Sequence, residues 1–208
     1  MNSVQSRDAF RSAAEAFVEL AERIPPEHWS TRGLGDWDLR ALVGHAGRAL
    51  TTLADYLGDG KLEVAQIGTA AAYVSAAARA RSPELNEQIR LRGVEAGMAL
   101  GVNPAATLRV WLARAEAALA TARDDIVVPT PFGLMSLADY LPTRTLELVV
   151  HGIDVADALG VPSTVPDAAL RQSLAVLTEA AVGGHVGVPV IRALTGRAAL
   201  VKGFSVVP

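Results

Sequence analysis

The chain has 208 residues, half of them apolar, carries a net charge of −3 and contains no cysteine, which is ample for one core of ordinary domain size. The missing cysteine excludes disulfides, thiolate metal sites and a cysteine nucleophile, and the lack of any block of like charge speaks against nucleic acid or an anionic membrane surface as partner. No run of about 18 apolar residues occurs, and Met1 to Asp8 lack a basic start followed by an apolar stretch, so the expectation is a cytoplasmic protein without a membrane span.

Abundant alanine and few aromatic residues favour closely packed helices over a sheet sandwich. From Ser6 to Ile24, Phe10, Ala13, Ala14, Phe17, Leu20 and Ala21 recur at helical spacing, and Pro25-Pro26 stops the pattern. A loop rich in glycine and aromatic residues, Glu27 to Trp37, leads to Asp38, a suitable N-cap for a second helix ending near Leu57. Its apolar face is Leu39, Leu42, Val43, Ala46, Leu50 and Leu53, and His45 lies at the border of that face. Residues 61–81 read as largely helical. Ser82-Pro83 and Asn103-Pro104 each pair an N-cap with proline in the first turn, opening helices to about Leu100 and through Leu119. Ile126 to Met135 holds two prolines and several β-branched residues, which predicts a loop or short hairpin over 126–135.

Ser136 and Asp139 then resemble a capping box at the start of the helix that Gly160 and Pro162 terminate, with Pro142 predicting a kink or a late start. At about 100° per residue, Arg144, Glu147, His151 and Asp154 fall on one narrow stripe of this helix, between flanks that are apolar almost all round. A helix of that kind is ordinarily buried, and a carboxylate and an imidazole set inside need a partner. The i, i+4 spacing of Glu147 and His151 lets both reach one point above the helix, where a divalent cation satisfies them together. The same pair also occurs on ordinary solvated faces, and two ligands are not a site. His45 is available as the third. Three protein ligands would leave a coordination position open, as in catalytic zinc sites, and Asp154 could orient the His151 imidazole or simply make a salt bridge. One more helix is expected from Pro166 to about Val182 and a short last one from Val190 to Thr195. His28 and His185 fall in loops and are expected to face solvent.

The segments Gly35 to His45 and Pro131 to Asp154, with the tail Ala193-Leu194-Thr195-Gly196-Arg197, resemble the mycothiol-dependent maleylpyruvate isomerase N-terminal domain, a branch of the DinB-like metal-binding bundles. The resemblance covers most of the chain, and the Trp37-to-His45 block together with Arg144-x2-Glu147-x3-His151-x2-Asp154 is its specific part. It implies an all-α, DinB-like four-helix bundle over residues 1–182, with residues 183–208 as a short helix and tail packed on the same domain. It further implies a divalent metal, usually zinc, held by His45, Glu147 and His151, and mycothiol bound at the open position. Arg144 and Asp154 would serve catalysis, and Trp37, with the loop around Trp29, would shape the mouth of the thiol pocket. An imidazole and carboxylate set also accepts nickel, manganese or iron.

The expected activity is therefore metal-assisted transfer of a small thiol to, or thiol-dependent isomerisation of, a small electrophile. The chain ends about a dozen residues after the last helix, whereas the isomerase carries a further domain that helps hold its carboxylated substrate, so a transferase of another substrate is expected over maleylpyruvate isomerisation. Two other readings stand beside it: a thiol-independent metal hydrolase or lyase on the same bundle, and a non-catalytic protein whose metal stabilises the fold. The protein would act as a monomer or homodimer, and its alanine- and arginine-rich composition is compatible with an actinobacterial source.

Overall fold

The structure, a computed structural model, describes residues 2–207. Among them are eight helices: α1 (Ser3–Glu22), α2 (Leu39–Gly58), α3 (Ala70–Arg79), α4 (Pro83–Ala99), α5 (Pro104–Thr121), α6 (Leu137–Leu159), α7 (Asp167–Gly183) and α8 (Gly187–Leu194). An antiparallel hairpin of β1 (Val127–Thr130) and β2 (Gly133–Ser136) joins α5 to α6. The fold is all-α apart from this hairpin, and no described helix is long and apolar enough to cross a membrane.

Four helices close a ring: α1 packs on α6, α6 on α2, α2 on α5 and α5 back on α1. Their facing stripes, including Phe10, Leu42, Leu50, Leu108, Leu119 and Tyr140, fill the centre and are essentially inaccessible to water. Burying side chains of this size contributes about 1.5–3 kcal/mol each, which holds the ring together far more strongly than helix propensity does. The helix starts follow the sequence signals. Asp38, Ser82 and Asn103 each accept a hydrogen bond from the backbone N–H three residues on, and Gly160 ends α6 in the left-handed conformation at φ 67°.

Three expectations need correction. Residues 61–69 are not helical. Lys61 exchanges backbone hydrogen bonds with Val127, and the amides of Gln66 and Ile67 both reach the Leu134 carbonyl, so this segment covers the outer backbone groups of the hairpin. Its helix begins only at Ala70, capped by Thr69. Nor does α6 start late. Ser136 caps it at once, and Pro142 lies inside, where it withholds only the N–H that Ala138 would have accepted. The Ser136–Asp139 pair is not a reciprocal capping box either, because the Ser136 hydroxyl accepts from the Asp139 amide and donates to the Asp139 carboxylate at 2.6 Å.

Outside the ring, α4 lies across α2 on glycine. A Cβ built on Gly44 would stand 2.2 Å from the backbone nitrogen of Gly97, and one on Gly97 would stand 2.9 Å from the Arg40 carbonyl. The two backbones are in contact, which places α4 beside the first turns of α2, the part of the bundle that carries His45.

Candidate metal centre

Helices α2 and α6 meet where His45 and the Glu147–His151 turn face each other. Glu147 Oε2 lies 3.9 Å from His45 Nε2 and 3.4 Å from His151 Nε2, and one ligand atom from each of the three falls within 4.8 Å of the others. The two imidazoles stand edge to face with centroids 4.9 Å apart. Glu147 is set deep among protein atoms, yet 38 % of its side chain is accessible, which describes the floor of an open depression. Residues about a hundred positions apart in the chain thus come together.

The surrounding groups fix this arrangement. Asp154 Oδ2 accepts from His151 Nδ1 at 2.9 Å, which leaves Nε2 directed at Glu147, the orientation a ligating histidine takes when a carboxylate holds its other nitrogen. On the remaining side, the Arg144 guanidinium lies 4.0 Å from Glu147 Oε1. Arg144 is only 8 % exposed; its guanidinium lies over the Tyr140 ring at 4.8 Å and the Tyr73 ring at 5.9 Å, and Nε donates to Thr143 at 3.1 Å. Cation–π contact on two rings offsets part of the cost of burying that charge. The Trp37 indole leans on the His45 imidazole with centroids 4.5 Å apart. Trp37 Nε1 donates to the Arg90 carbonyl at 3.0 Å, and the ring sits so close to Gly93 that a Cβ there would meet it at 2.7 Å.

Electrostatics divide the three groups. Burial on its own would raise the Glu147 pKa, but the hydrogen bond from His151 and the charges of Arg144, His151 and His45 outweigh it and hold the carboxyl down at about 2. For His151 burial also opposes the charge, and hydrogen bonds to Asp154 and Glu147 lift its pKa to about 9. Burial, followed by the neighbouring His151 charge, pushes His45 down to about 4. At neutral pH the metal-free cluster is therefore an ionised carboxylate between one charged and one neutral imidazole. His45 Nδ1 is buried and has no hydrogen-bond partner among the described residues.

Of the residues singled out from sequence, His45, Glu147, His151, Arg144, Asp154 and Trp37 all meet here. Trp29 does not. It lines a separate cavity of about 270 Å³ with Glu22, Arg40 and Pro104 that shares no residue with the cluster. His28 and His185 are exposed. The contributions of Tyr73, Tyr140 and Gly93 were not anticipated. Tyr140 stands one turn before Arg144 and was legible from that spacing, whereas nothing local connects Tyr73 or Gly93 to α6 or to Trp37.

Fold and site together define a helical bundle with an inward-facing cluster of two histidines and one carboxylate. A family model described as the mycothiol maleylpyruvate isomerase N-terminal domain matches residues 10–156, a span that includes the whole cluster. The chain belongs to this family. No curated protein and no solved structure matches it.

Proposed function

We propose that His45, Glu147 and His151 hold a divalent metal, zinc by preference, and that the protein is an enzyme joining a small thiol, mycothiol, to a small electrophile. The observation that carries the reading is the convergence of one atom from each of these side chains within 4.8 Å, in a chain that belongs to the family described as the mycothiol maleylpyruvate isomerase N-terminal domain. The donor set fits: two imidazole nitrogens and one carboxylate oxygen suit zinc and leave a position free. A cation bound there would lower the pKa of an incoming thiol, so that thiolate exists at neutral pH.

The chain's own residues supply the rest. Asp154 holds the His151 proton at Nδ1 and keeps Nε2 directed inward. Arg144, fixed between Tyr73 and Tyr140, stands on the Oε1 side of Glu147 and leaves Oε2 to the histidines. Trp37, whose indole leans on the His45 imidazole, would form one wall of the thiol site. In the reaction the thiol gives up its proton and a carbon–sulfur bond forms. In transfer, the bond to the displaced group breaks and that group leaves with its bonding electrons; in isomerisation, the π bond of the alkene breaks as sulfur adds, its electron pair moving onto the substrate, and is restored when thiolate is eliminated after rotation about the carbon–carbon bond.

The test is metal analysis followed by turnover of an electrophile panel with and without mycothiol. A stoichiometric metal lost in His151→Ala, with S-conjugates formed only when the thiol is supplied, supports the proposal. Equal turnover without thiol replaces it with metal-assisted hydrolysis or elimination. Metal loss that lowers stability, in a protein that binds neither thiol nor electrophile, replaces it with a structural metal.

A further inference from the structure

The chain's three tyrosines, Tyr56 on α2, Tyr73 on α3 and Tyr140 on α6, gather around one guanidinium, that of Arg144. Tyr73 and Tyr140 give it their rings, and Tyr56 packs against Tyr140 with centroids 5.8 Å apart. Aromatic rings offset the burial of the charge but are no substitute for acceptors, and a guanidinium has several N–H groups to place. Only Nε has a well-placed one, the Thr143 hydroxyl at 3.1 Å. The nearest carboxylate oxygen, Glu147 Oε1, is 4.0 Å from Nη2, beyond hydrogen-bond range. A buried charge short of acceptors is a costly arrangement in a protein without its ligand. Neither terminal nitrogen is sealed from water, so the unfilled positions open beside Glu147, on the depression that it floors.

Two neighbours share the preference. The Tyr73 hydroxyl stands beside the guanidinium, and its proton has no acceptor among the described residues, whereas the Tyr140 hydroxyl is already committed to Thr52 at 3.3 Å. Arg48, on the turn of α2 after His45, is half-buried, makes no ion pair among the described residues and acts on His45 with its charge. A divalent cation at the cluster, together with Arg48 and Arg144, would face only the carboxylates of Glu147 and Asp154, and a bound thiolate would still leave positive charge uncompensated. The missing partner is an anion flat enough to take two parallel N–H bonds, which is the way a carboxylate sits on arginine.

We propose that Arg144 and Tyr73 form a carboxylate-binding subsite beside the metal centre, Arg144 through a two-pronged hydrogen bond and Tyr73 through a third, and that the electrophile this protein takes carries a carboxylate. The choice of electrophile rests on the function proposed above, whereas the subsite itself needs neither metal nor thiol. Benzoate and benzamide, alike in shape and different in charge, probe it directly. Titrated by calorimetry into protein freed of metal with phenanthroline, a chelator without carboxylates, benzoate should bind at least about tenfold more tightly than benzamide. Arg144→Gln should weaken benzoate by about 10–100-fold and leave benzamide unchanged. Arg144→Lys, which keeps the charge without the fork, should recover only part of that loss. Tyr73→Phe keeps the ring and should cost about 3–10-fold; it carries the test if circular dichroism shows that Arg144→Gln does not fold. In turnover, para-chloromethylbenzoate should be conjugated with a kcat/KM at least about tenfold above that of para-chloromethylbenzamide, and the advantage should shrink in Tyr73→Phe. Benzoate bound no better than benzamide overturns the proposal, as does a preference that survives both Arg144→Gln and Tyr73→Phe, which puts the anion on the histidines instead. A protein that shows the expected binding yet conjugates neither electrophile supports the subsite and overturns the function proposed above, whereas equal conjugation of acid and amide overturns the subsite and leaves that function standing.

Discussion

Helix α6 buries a guanidinium and two threonines and sets two carboxylates and an imidazole in its half-buried turns, whereas α8, far more apolar in sequence, buries nothing at all. Hydropathy alone would have exchanged their places. The difference lies in partners. Every charge on the inward stripe of α6 has a counter-charge or an aromatic face within reach: Arg144 over Tyr140, Glu147 beside His151, His151 on Asp154. Buried polar groups persist where they are satisfied. The aliphatic side chains of α8 need only surface to pack against, and this chain provides it on one side.

If partners decide burial, removing one from α6 should be costly and removing an apolar group from α8 should not. The largest effect is expected for His151→Ala and Glu147→Gln. Loss of a ligand should weaken metal binding by more than about a hundredfold, or about 3 kcal/mol, measured by competition with a chromogenic chelator. Glu147→Gln should also destabilise the metal-free protein, because Arg144 and His151 lose their shared anion; with the carboxylate 38 % exposed, the cost is about 1–2 kcal/mol and not that of a sealed pair. An unchanged melting temperature would mean that the surrounding residues do not depend on this charge.

The glycine contacts are next in size. Gly44→Ala places a methyl group against the Gly97 backbone, which has no room to give, and should cost about 3 kcal/mol, lowering Tm by about 6–12 °C. For Gly93→Ala the three nearest atoms to the added methyl all belong to the Trp37 ring, a side chain and not backbone. The substitution should spare most of the stability and change the tryptophan fluorescence response to metal instead. Asp154→Asn keeps the ligands but loosens His151, and should weaken metal binding by about 10–100-fold. If Asp154→Asn bound metal as wild type does, Asp154 would be an ordinary salt-bridge residue.

How much of this was legible in the sequence follows from how local the signals are. The stripe of Arg144, Glu147, His151 and Asp154 lies on one helix and obeys its period, so it could be read directly. His45 could be placed only at the edge of a core, and its approach to the other two followed from the family resemblance and not from periodicity. Residues 61–69 were misread because their composition suits a helix, while backbone groups of a hairpin some sixty-five residues further on claim them instead. The Gly44–Gly97 crossing and the Tyr73 side of the Arg144 clamp depend on tertiary contact between separate elements, for which the chain carries no periodic mark.

The two histidines sharpen the comparison within the site itself. With His151 charged up to about pH 9, Glu147 ionised above about 2 and His45 neutral above about 4, metal binding at pH 7 must expel one proton, from His151. Calorimetry in buffers of different ionisation enthalpy should register a release of about one proton, falling toward none above pH 10 and in His151→Ala. Release of two protons would show that His45 is charged as well. In the metal-free protein, the raised His151 pKa contributes stability below its unfolded value near 6.5 that is lost as pH rises through 9. The lowered values of His45 and Glu147 contribute stability that is lost as pH falls through 4 and 2 respectively. Metal-free Tm should therefore decline on both sides of neutrality, and the alkaline decline should disappear once metal holds His151 deprotonated.

The smallest effect belongs to α8. Within a single chain, Ile191→Asp removes an apolar side chain already 62 % exposed, so its cost to the fold should stay within about 0.5 kcal/mol. The variant and wild type should melt together. A clear difference would place the packing surface of Ile191 within the chain and make α8 a buried helix after all.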